Sequence, residues 1–366
     1  MKIGILTVHR AHNFGAVLQC YALMTYLKSK GHDVEIIDYR QPFIEKYYRA
    51  VDFRMIIGNL KQNNWNFLLN IRRISKKRKE SIAHYKSFRE TFFSLSVPCY
   101  SLEDIPDYYD CYVIGSDQIW NQEILGGKVD QVFWGNFKDR VKGRITTYAA
   151  SSRLDKLDEI PMRELSMYLS NFDMISIREN DCKEFLETHT DKRIKVVIDP
   201  TLLLPSPLWK NIISDRFKAS NHVVLYEVRR NKKNPKVLYE KAKLVCETLA
   251  ADLVDLSKDS TMSPCDFVSA IYYARYVVTS SFHGTAFSII FHKNFTTYKL
   301  NDGRDSRYQE LLQNLCLTDL LKELDEDPIM AEPDYGVADS KLAELKSAAK
   351  SYIKKALYEE CQQTRS

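Results

Sequence analysis

Lys2-Ile-Gly-Ile-Leu-Thr-Val8, then the polar turn His9-Arg-Ala-His-Asn-Phe-Gly15, then the periodic apolar run from Ala16 to Lys30, decide the fold. The opening run reads as a buried strand, the segment from Ala16 as an amphipathic helix stopped by Gly31, and Val34-Glu-Ile-Ile-Asp-Tyr39 as the next strand. Strand, helix and strand in this order form a βαβ unit with parallel strands. The turn from His9 to Gly15 therefore lies at the carboxyl end of the first strand, where open parallel sheets hold their ligands.

The alternation continues downstream. Strands are expected at 110–115, 144–149, 174–177 and 195–198, and helices at 161–172 and 180–189. Asp199-Pro-Thr-Leu-Leu-Leu-Pro-Ser-Pro207 then interrupts, because its prolines block both a helix and a ladder, and it marks the passage between two halves. A second alternation follows, with strands at 223–228, 252–256, 276–279 and 295–300 and helices at 235–250, 265–275 and 285–292. The expected fold class is α/β, two Rossmann-like domains facing across a cleft: residues 1–205, then 206–330, then a tail 331–366 that packs back on the body. Within the tail, Asp339 to Gln362 spaces Leu342, Leu345, Ala349, Ile353 and Leu357 as an amphipathic helix docking on one half. A length of 366 residues also exceeds what one hydrophobic core usually fills.

One segment breaks the pattern. Residues 42–97 carry Tyr47, Tyr48, Phe53, Trp65, Phe88 and Phe92 together with Arg72-Arg-Ile-Ser-Lys-Lys-Arg-Lys79, and read as a helical insertion. The basic run from Arg72 to Lys79 is either a solvated helix face or a contact with anionic lipid head groups or a lipid-diphosphate acceptor.

A net charge of +5 suits phosphorylated substrates or anionic lipid, and no nucleic-acid partner is expected of so mild an excess. Apolar runs such as Val223 to Tyr226 are far below membrane-spanning length and no leader precedes the first strand, so a cytoplasmic place is expected, peripheral at the inner membrane face if the basic run meets lipid. Eight cysteines without a C-x-x-C pair point to reduced, mostly buried thiols. The chain has no G-x-x-x-x-G-K-[ST], no G-x-G-x-x-G after the first strand, no H-E-x-x-H and no G-x-S-x-G. His9 and His12 lack a companion cluster of carboxylates or cysteines, so no metal is expected.

Polar turns fall where parallel strands end. In Tyr276-Val-Val-Thr-Ser-Ser-Phe-His-Gly284, the residues Ser280, Ser281, His283 and Gly284 make an anion-facing ledge: Gly284 allows close backbone approach to a ligand, the next helix offers unpaired N–H groups, and His283 is a tunable proton donor. In Gly115-Ser-Asp-Gln-Ile-Trp-Asn121, Gly115 and Ser116 allow close approach, Asp117 is a candidate base, Gln118 and Asn121 offer hydrogen bonds, and Trp120 a face for a sugar ring. Alternatively, Asp117 caps a turn and Trp120 is core. Arg178 can grip a carboxylate or phosphate through two nitrogens, or pair with Glu179 or Asp181. Arg304 and Arg307 are each a second clamp or a surface charge at a helix start.

These turns carry a resemblance. With Gly4-Ile-Leu-Thr7, His12-Asn-Phe-Gly-Ala-Val-Leu-Gln19, Gly115 to Asn121, Ser176-Ile-Arg-Glu179, Asp199-Pro-Thr-Leu202 and Ser280 to Gly284 in this order, the chain resembles the polysaccharide pyruvyl transferase family over residues 1–320. The resemblance implies a two-domain fold similar to the GT-B glycosyltransferases. It also implies transfer of pyruvate from phosphoenolpyruvate onto two sugar hydroxyls as a cyclic ketal, without a further cofactor. By motif position Arg178 and His283 look like donor-binding residues, with His283 also the general acid. Ser280, Ser281, Gly284 and Arg307 complete the expected donor side. Asp117 is the expected base, and His12, Asn13, Ser116, Gln118, Trp120 and Asn121 face a sugar or lipid-linked oligosaccharide acceptor. Better-studied members can place an Arg two residues before the His; this chain has Ser281 there, and Arg307 is the expected replacement. Alanine at His283 or Arg178 is expected to abolish phosphate release and leave the melting transition nearly unchanged. A nucleotide-sugar glycosyltransferase and a non-catalytic glycan or lipid-carrier binding protein are the competing readings, since fold does not dictate function.

Overall fold

The computed structural model of the chain describes residues 1–51, 53–229, 231–257 and 261–358, so Cys361 and the end of the helix expected to reach Gln362 lie outside the described residues. Seven strands build the first sheet: β1 (Lys2–Leu6), β2 (Asp33–Tyr39), β3 (Leu95–Cys99), β4 (Cys111–Asp117), β5 (Arg144–Ala150), β6 (Ile175–Ile177) and β7 (Ile194–Val196), in the order β3-β2-β1-β4-β5-β6-β7. Five build the second: β8 (His222–Tyr226), β9 (Asp252–Asp255), β10 (Tyr276–Thr279), β11 (Asn294–Tyr298) and β12 (Leu321–Lys322), in the order β12-β11-β10-β8-β9. The pairings are parallel throughout. Helices cover both faces of such sheets, which is why β8 and β10 are buried along their whole length and are mostly apolar, with His222 and Thr279 only at their ends. Strand order reverses between β1 and β4 and again between β8 and β10, and at each reversal the loops diverge and leave a crevice at the carboxyl ends. The two Rossmann-like halves face each other across these crevices, as in a GT-B architecture.

Two helices start earlier than the apolar period suggests. The helix Phe14–Lys28 begins two residues before Ala16, because the Asn13 side chain accepts the Ala16 N–H at 3.2 Å and caps it. The helix Phe282–Ile290 begins three residues before Thr285, which puts His283 and Gly284 in its first turn. β3 falls inside the segment expected to be helical; it is a sheet edge with Val97 and Pro98 exposed, where proline costs no ladder bond. The rest of that insertion is helical, at Pro42–Tyr48, Phe53–Lys61, Trp65–Leu69 and Ile71–Phe92.

The halves share a core. Phe14 stacks on Phe267 at 4.7 Å between ring centres, and Trp209 sits between Tyr21 and Phe287 at 5.7 and 4.8 Å. The last helix, Tyr335–Tyr358, does not dock on one half as expected. Near its start Tyr335 donates to the Lys293 carbonyl at 2.6 Å, and towards its end Tyr352 donates to the Thr147 carbonyl of β5 at 2.8 Å, so it straps the second half to the first. Cys20, Cys99, Cys111, Cys182, Cys246, Cys265 and Cys316 are free thiols, the first five buried. Among the described residues, no helix is long and apolar enough to cross a membrane.

Candidate active site

Between the halves lies a cavity of about 410 Å³. Its walls come from the carboxyl ends at both strand-order reversals: Val8, Ala11 and Asn13 after β1, Asp117 and Gln118 after β4, Val228 and Arg229 after β8, and Ser280 to His283 after β10. Arg304 and Arg307 line it from the second half, Phe43, Tyr47 and Tyr48 from the helix Pro42–Tyr48.

His283 is buried, and its Nε2 has no hydrogen-bond partner among the described residues. The other side of its ring lies against Gly15, where a Cβ would stand 2.0 Å from Nδ1. The imidazole is thus held in the first turn of one helix and against the first turn of another, and neither first turn contains a carboxylate. Two positive helix ends therefore meet at the cavity. Burial depresses the His283 pKa, and although Asp199 and Asp117 pull it up, Arg178 and Arg307 push it down, so the free protein holds the ring neutral.

Arg178 is buried beneath. Its Nη1 donates to Asp199 Oδ2 at 2.6 Å and its Nε to Glu179 Oε1 at 3.2 Å, while Nη2 has no hydrogen-bond partner and lies 3.9 Å from Asp117 Oδ1. Burial works against its charge, but Glu179, Asp199 and Asp117 together raise its pKa further. The same guanidinium, with the Thr201 N–H and hydroxyl, outweighs burial at Asp199 and keeps that carboxyl ionised. Arg178 leaves both Nη2 hydrogens and one on Nη1 unbonded, while its Nε and the other Nη1 hydrogen are held by Glu179 and Asp199. Its removal would also leave Asp199 and Glu179 buried without their cation, so the expectation of an unchanged melting transition for the alanine variant does not hold. Arg307 makes no hydrogen bond or ion pair among the described residues, and burial beside Arg178 lowers its pKa. Arg304 is taken by Glu123 at 3.0 Å, a bridge from the second half to the first at the cavity mouth.

Asp117 occupies a left-handed backbone conformation, φ +74°, rare for a residue with a side chain and typical of functional turns. Gln118 and Asn13 also reach the cavity, as do Ser280, whose buried hydroxyl has no partner, and Ser281. Other expected contacts are elsewhere. Trp120 is 1 % exposed, stacks on Trp134 at 4.3 Å and donates to the Phe133 carbonyl, so it is core and not a sugar platform. Ser116 is buried, its N–H on Gln19 and its hydroxyl on the Ala149 carbonyl. Asn121 is buried and caps the short turn Gln122–Leu125. Gly115 and Gly284 owe their lack of a side chain to the protein rather than to a ligand: a Cβ would meet the Tyr148 carbonyl at 2.3 Å in one and Thr279 Oγ1 at 2.2 Å in the other. His12 stands behind the wall, stacked on Tyr85 at 4.9 Å.

A family model for polysaccharide pyruvyl transferase matches residues 13–299. The chain belongs to this family. Solved structures similar to this pyruvyl transferase family member include the S. aureus MnaA–UDP co-structure (11% identity, 98% of this chain and 89% of that chain, TM-score 0.45). Methanocaldococcus jannaschii UDP-GlcNAc 2-epimerase in complex with UDP-GlcNAc and UDP is another (12% identity, 95% and 100%, TM-score 0.45). A third is an alpha-glucosyltransferase in complex with UDP (9% identity, 98% and 93%, TM-score 0.46). No curated protein matches the chain.

Four contributors to the site of this pyruvyl transferase family member were not singled out from the sequence. Asp199 read as part of a linker, although an acid two residues before Thr201 in a proline-bounded turn is a capping signal. Gly15 read only as the last residue of the turn after the first strand. Phe43 and Tyr47 have ring centres 5.9 Å apart and surfaces open to the cavity; Tyr47 read only as a member of an aromatic insertion, and Phe43 drew no reading of its own.

Proposed function

We propose that the chain transfers the pyruvyl group of phosphoenolpyruvate to two hydroxyls of a sugar in a surface polysaccharide or its precursor, forming a cyclic ketal and releasing phosphate. The observation that carries this reading is the group of polar atoms without hydrogen-bond partners among the described residues: Arg178 Nη2, 3.9 Å from Asp117, His283 Nε2, 3.9 Å from Asp199, and the Arg307 guanidinium, beside two helix N-termini. A carboxylate and a phosphate on one small molecule need such a concentration of donors. Arg307 takes the place of the cation that Ser281 leaves out.

His283 is neutral in the free protein because it is buried. The negative charge of the donor reverses that balance, so binding takes up a proton, and the protonated ring delivers it to the methylene carbon. Positive character at the adjacent carbon then accepts the first sugar hydroxyl, whose proton passes to Asp117. Phosphate leaves with the electrons of its C–O bond, and the second hydroxyl adds to the same carbon to close the ring, its proton returning to the now neutral His283. Tyr47 and Phe43 supply the apolar platform for the sugar ring that Trp120 does not.

The test combines the protein with phosphoenolpyruvate and a panel of sugars, reading phosphate release together with the mass of an added pyruvyl group. Calorimetry of phosphoenolpyruvate binding in buffers of different ionisation enthalpy should report net proton uptake above pH 7, and affinity should fall as pH rises. Stabilisation by nucleotide sugars but not by phosphoenolpyruvate would turn the reading towards a glycosyltransferase. Glycan binding with no phosphate release would turn it towards a binding protein.

A further inference from the structure

Between Phe53 and Lys79 the chain has eight Lys and Arg and no Asp or Glu, although the net charge of the whole chain is only +5. The positive excess is therefore concentrated in this one segment. Two of its helices, Phe53–Lys61 and Trp65–Leu69, bury no residue. Phe53 is 74%, Trp65 63% and Leu69 81% exposed, and Ile57 and Leu60 are exposed as well. A helix face meant only for water would carry polar groups at these positions. A groove of about 560 Å³ lies beside them, with Val51, Ile56 and Ile71 on its apolar side and Arg72, Lys76 and Lys79 on its charged side.

We propose that this spur docks the protein on an anionic bilayer surface, its apolar side chains at the boundary between head groups and acyl chains and its cations among the lipid phosphates. Charge complementarity selects the lipid. Exposed Leu69, Leu60 and Ile57 select a bilayer over a nucleic acid, because aliphatic side chains gain nothing from a phosphodiester backbone and gain transfer energy from lipid. The place of the spur is also telling. It is reached from the cavity through the helix Pro42–Tyr48, seven residues or about 10 Å long, whose Phe43 and Tyr47 line the cavity itself. A bilayer held by the spur thus lies beside the cavity mouth, where an acceptor with a lipid tail would present its sugar. That last point rests on the proposed reaction; the docking does not.

Flotation of the full chain with phosphatidylcholine vesicles, with and without phosphatidylglycerol, tests it. Wild type should float only with the anionic vesicles. Replacing Arg72, Arg73, Lys76 and Lys77 by Gln should reduce partitioning at least a hundredfold, since each cation near an anionic surface contributes roughly a fivefold factor. W65S with L69S should reduce it by about tenfold or more. Both variants should keep the wild-type melting temperature and, if the proposed reaction holds, wild-type turnover of a water-soluble acceptor. Equal flotation of wild type and both variants overturns the docking, as does single-stranded RNA binding without vesicle binding. A dimer that dissociates in W65S/L69S while no form floats also overturns it.

Discussion

Gly15 and His283 are in contact across the two halves, and no atom can be added to one without moving the other. A methyl group at residue 15 would stand 2.0 Å from the imidazole, so Gly15→Ala forces His283 out of place. Displacement of a reacting group by about 1 Å typically costs on the order of 100-fold in rate. The same change adds a good helix former at a helical position, worth about 0.5–1 kcal/mol. Turnover should therefore collapse while the melting temperature falls only modestly, because overpacking a buried contact costs about 1–3 kcal/mol against that gain, a pairing that steady-state kinetics and a thermal scan read together. His12 makes the opposite kind of statement. Burial, with Arg89 and Arg10 nearby, lowers its pKa from the ordinary 6.5 to about 3. Between those values the unfolded chain binds a proton that the folded chain refuses, so the contribution to stability is complete above pH 6.5 and is lost as pH falls. His12→Phe, which keeps a ring against Tyr85, should flatten the acid side of a plot of unfolding free energy against pH. Residue type and place at the ends of parallel strands singled out His283, Arg178 and Asp117, and the structure brings the three together. Trp120 was not legible, since an indole serves a core and a sugar equally well and only its stack on Trp134 distinguishes them.

The ends of elements, more than their interiors, build the cavity. Asn13 has two consequences: its side chain caps the helix Phe14–Lys28, and it faces the cavity. Asn13→Ala should lower stability by about 1 kcal/mol through the lost cap. Asn13→Asp keeps the cap and improves its charge match with the helix end, yet places an anion where the donor's own charge should sit. Denaturant titration should find the Asp variant at least as stable as wild type, and calorimetry should find weaker phosphoenolpyruvate binding. Interior strands of both sheets could be read from the chain because burial on both faces demands continuous apolar residues. The edge strands β3 and β12 escaped, one with Pro98 and two exposed positions, the other only two residues long. Neither has the pattern that a two-sided burial imposes.

At the scale of the molecule, the two halves are joined by rings and by a helix rather than by a linker alone. Trp209 is fully buried between Tyr21 of one half and Phe287 of the other. Trp209→Ala should cost about 3–5 kcal/mol, typical of a large aromatic side chain removed from a core. Because the lost contacts belong to both halves, calorimetry should show one transition shifted down and not two transitions drawn apart. This joint was beyond a reading of the sequence, which marks where segments stop and not which of them touch.

The strap helix has a consequence for synthesis on the ribosome. β5 is made some two hundred residues before Tyr352, the residue whose hydroxyl reaches the Thr147 carbonyl. While the nascent chain is still tethered, the first sheet therefore waits for a partner that is translated long after it. A premature stop ahead of Tyr335 would release a polypeptide that has every cavity-lining residue and lacks the clasp that closes its back.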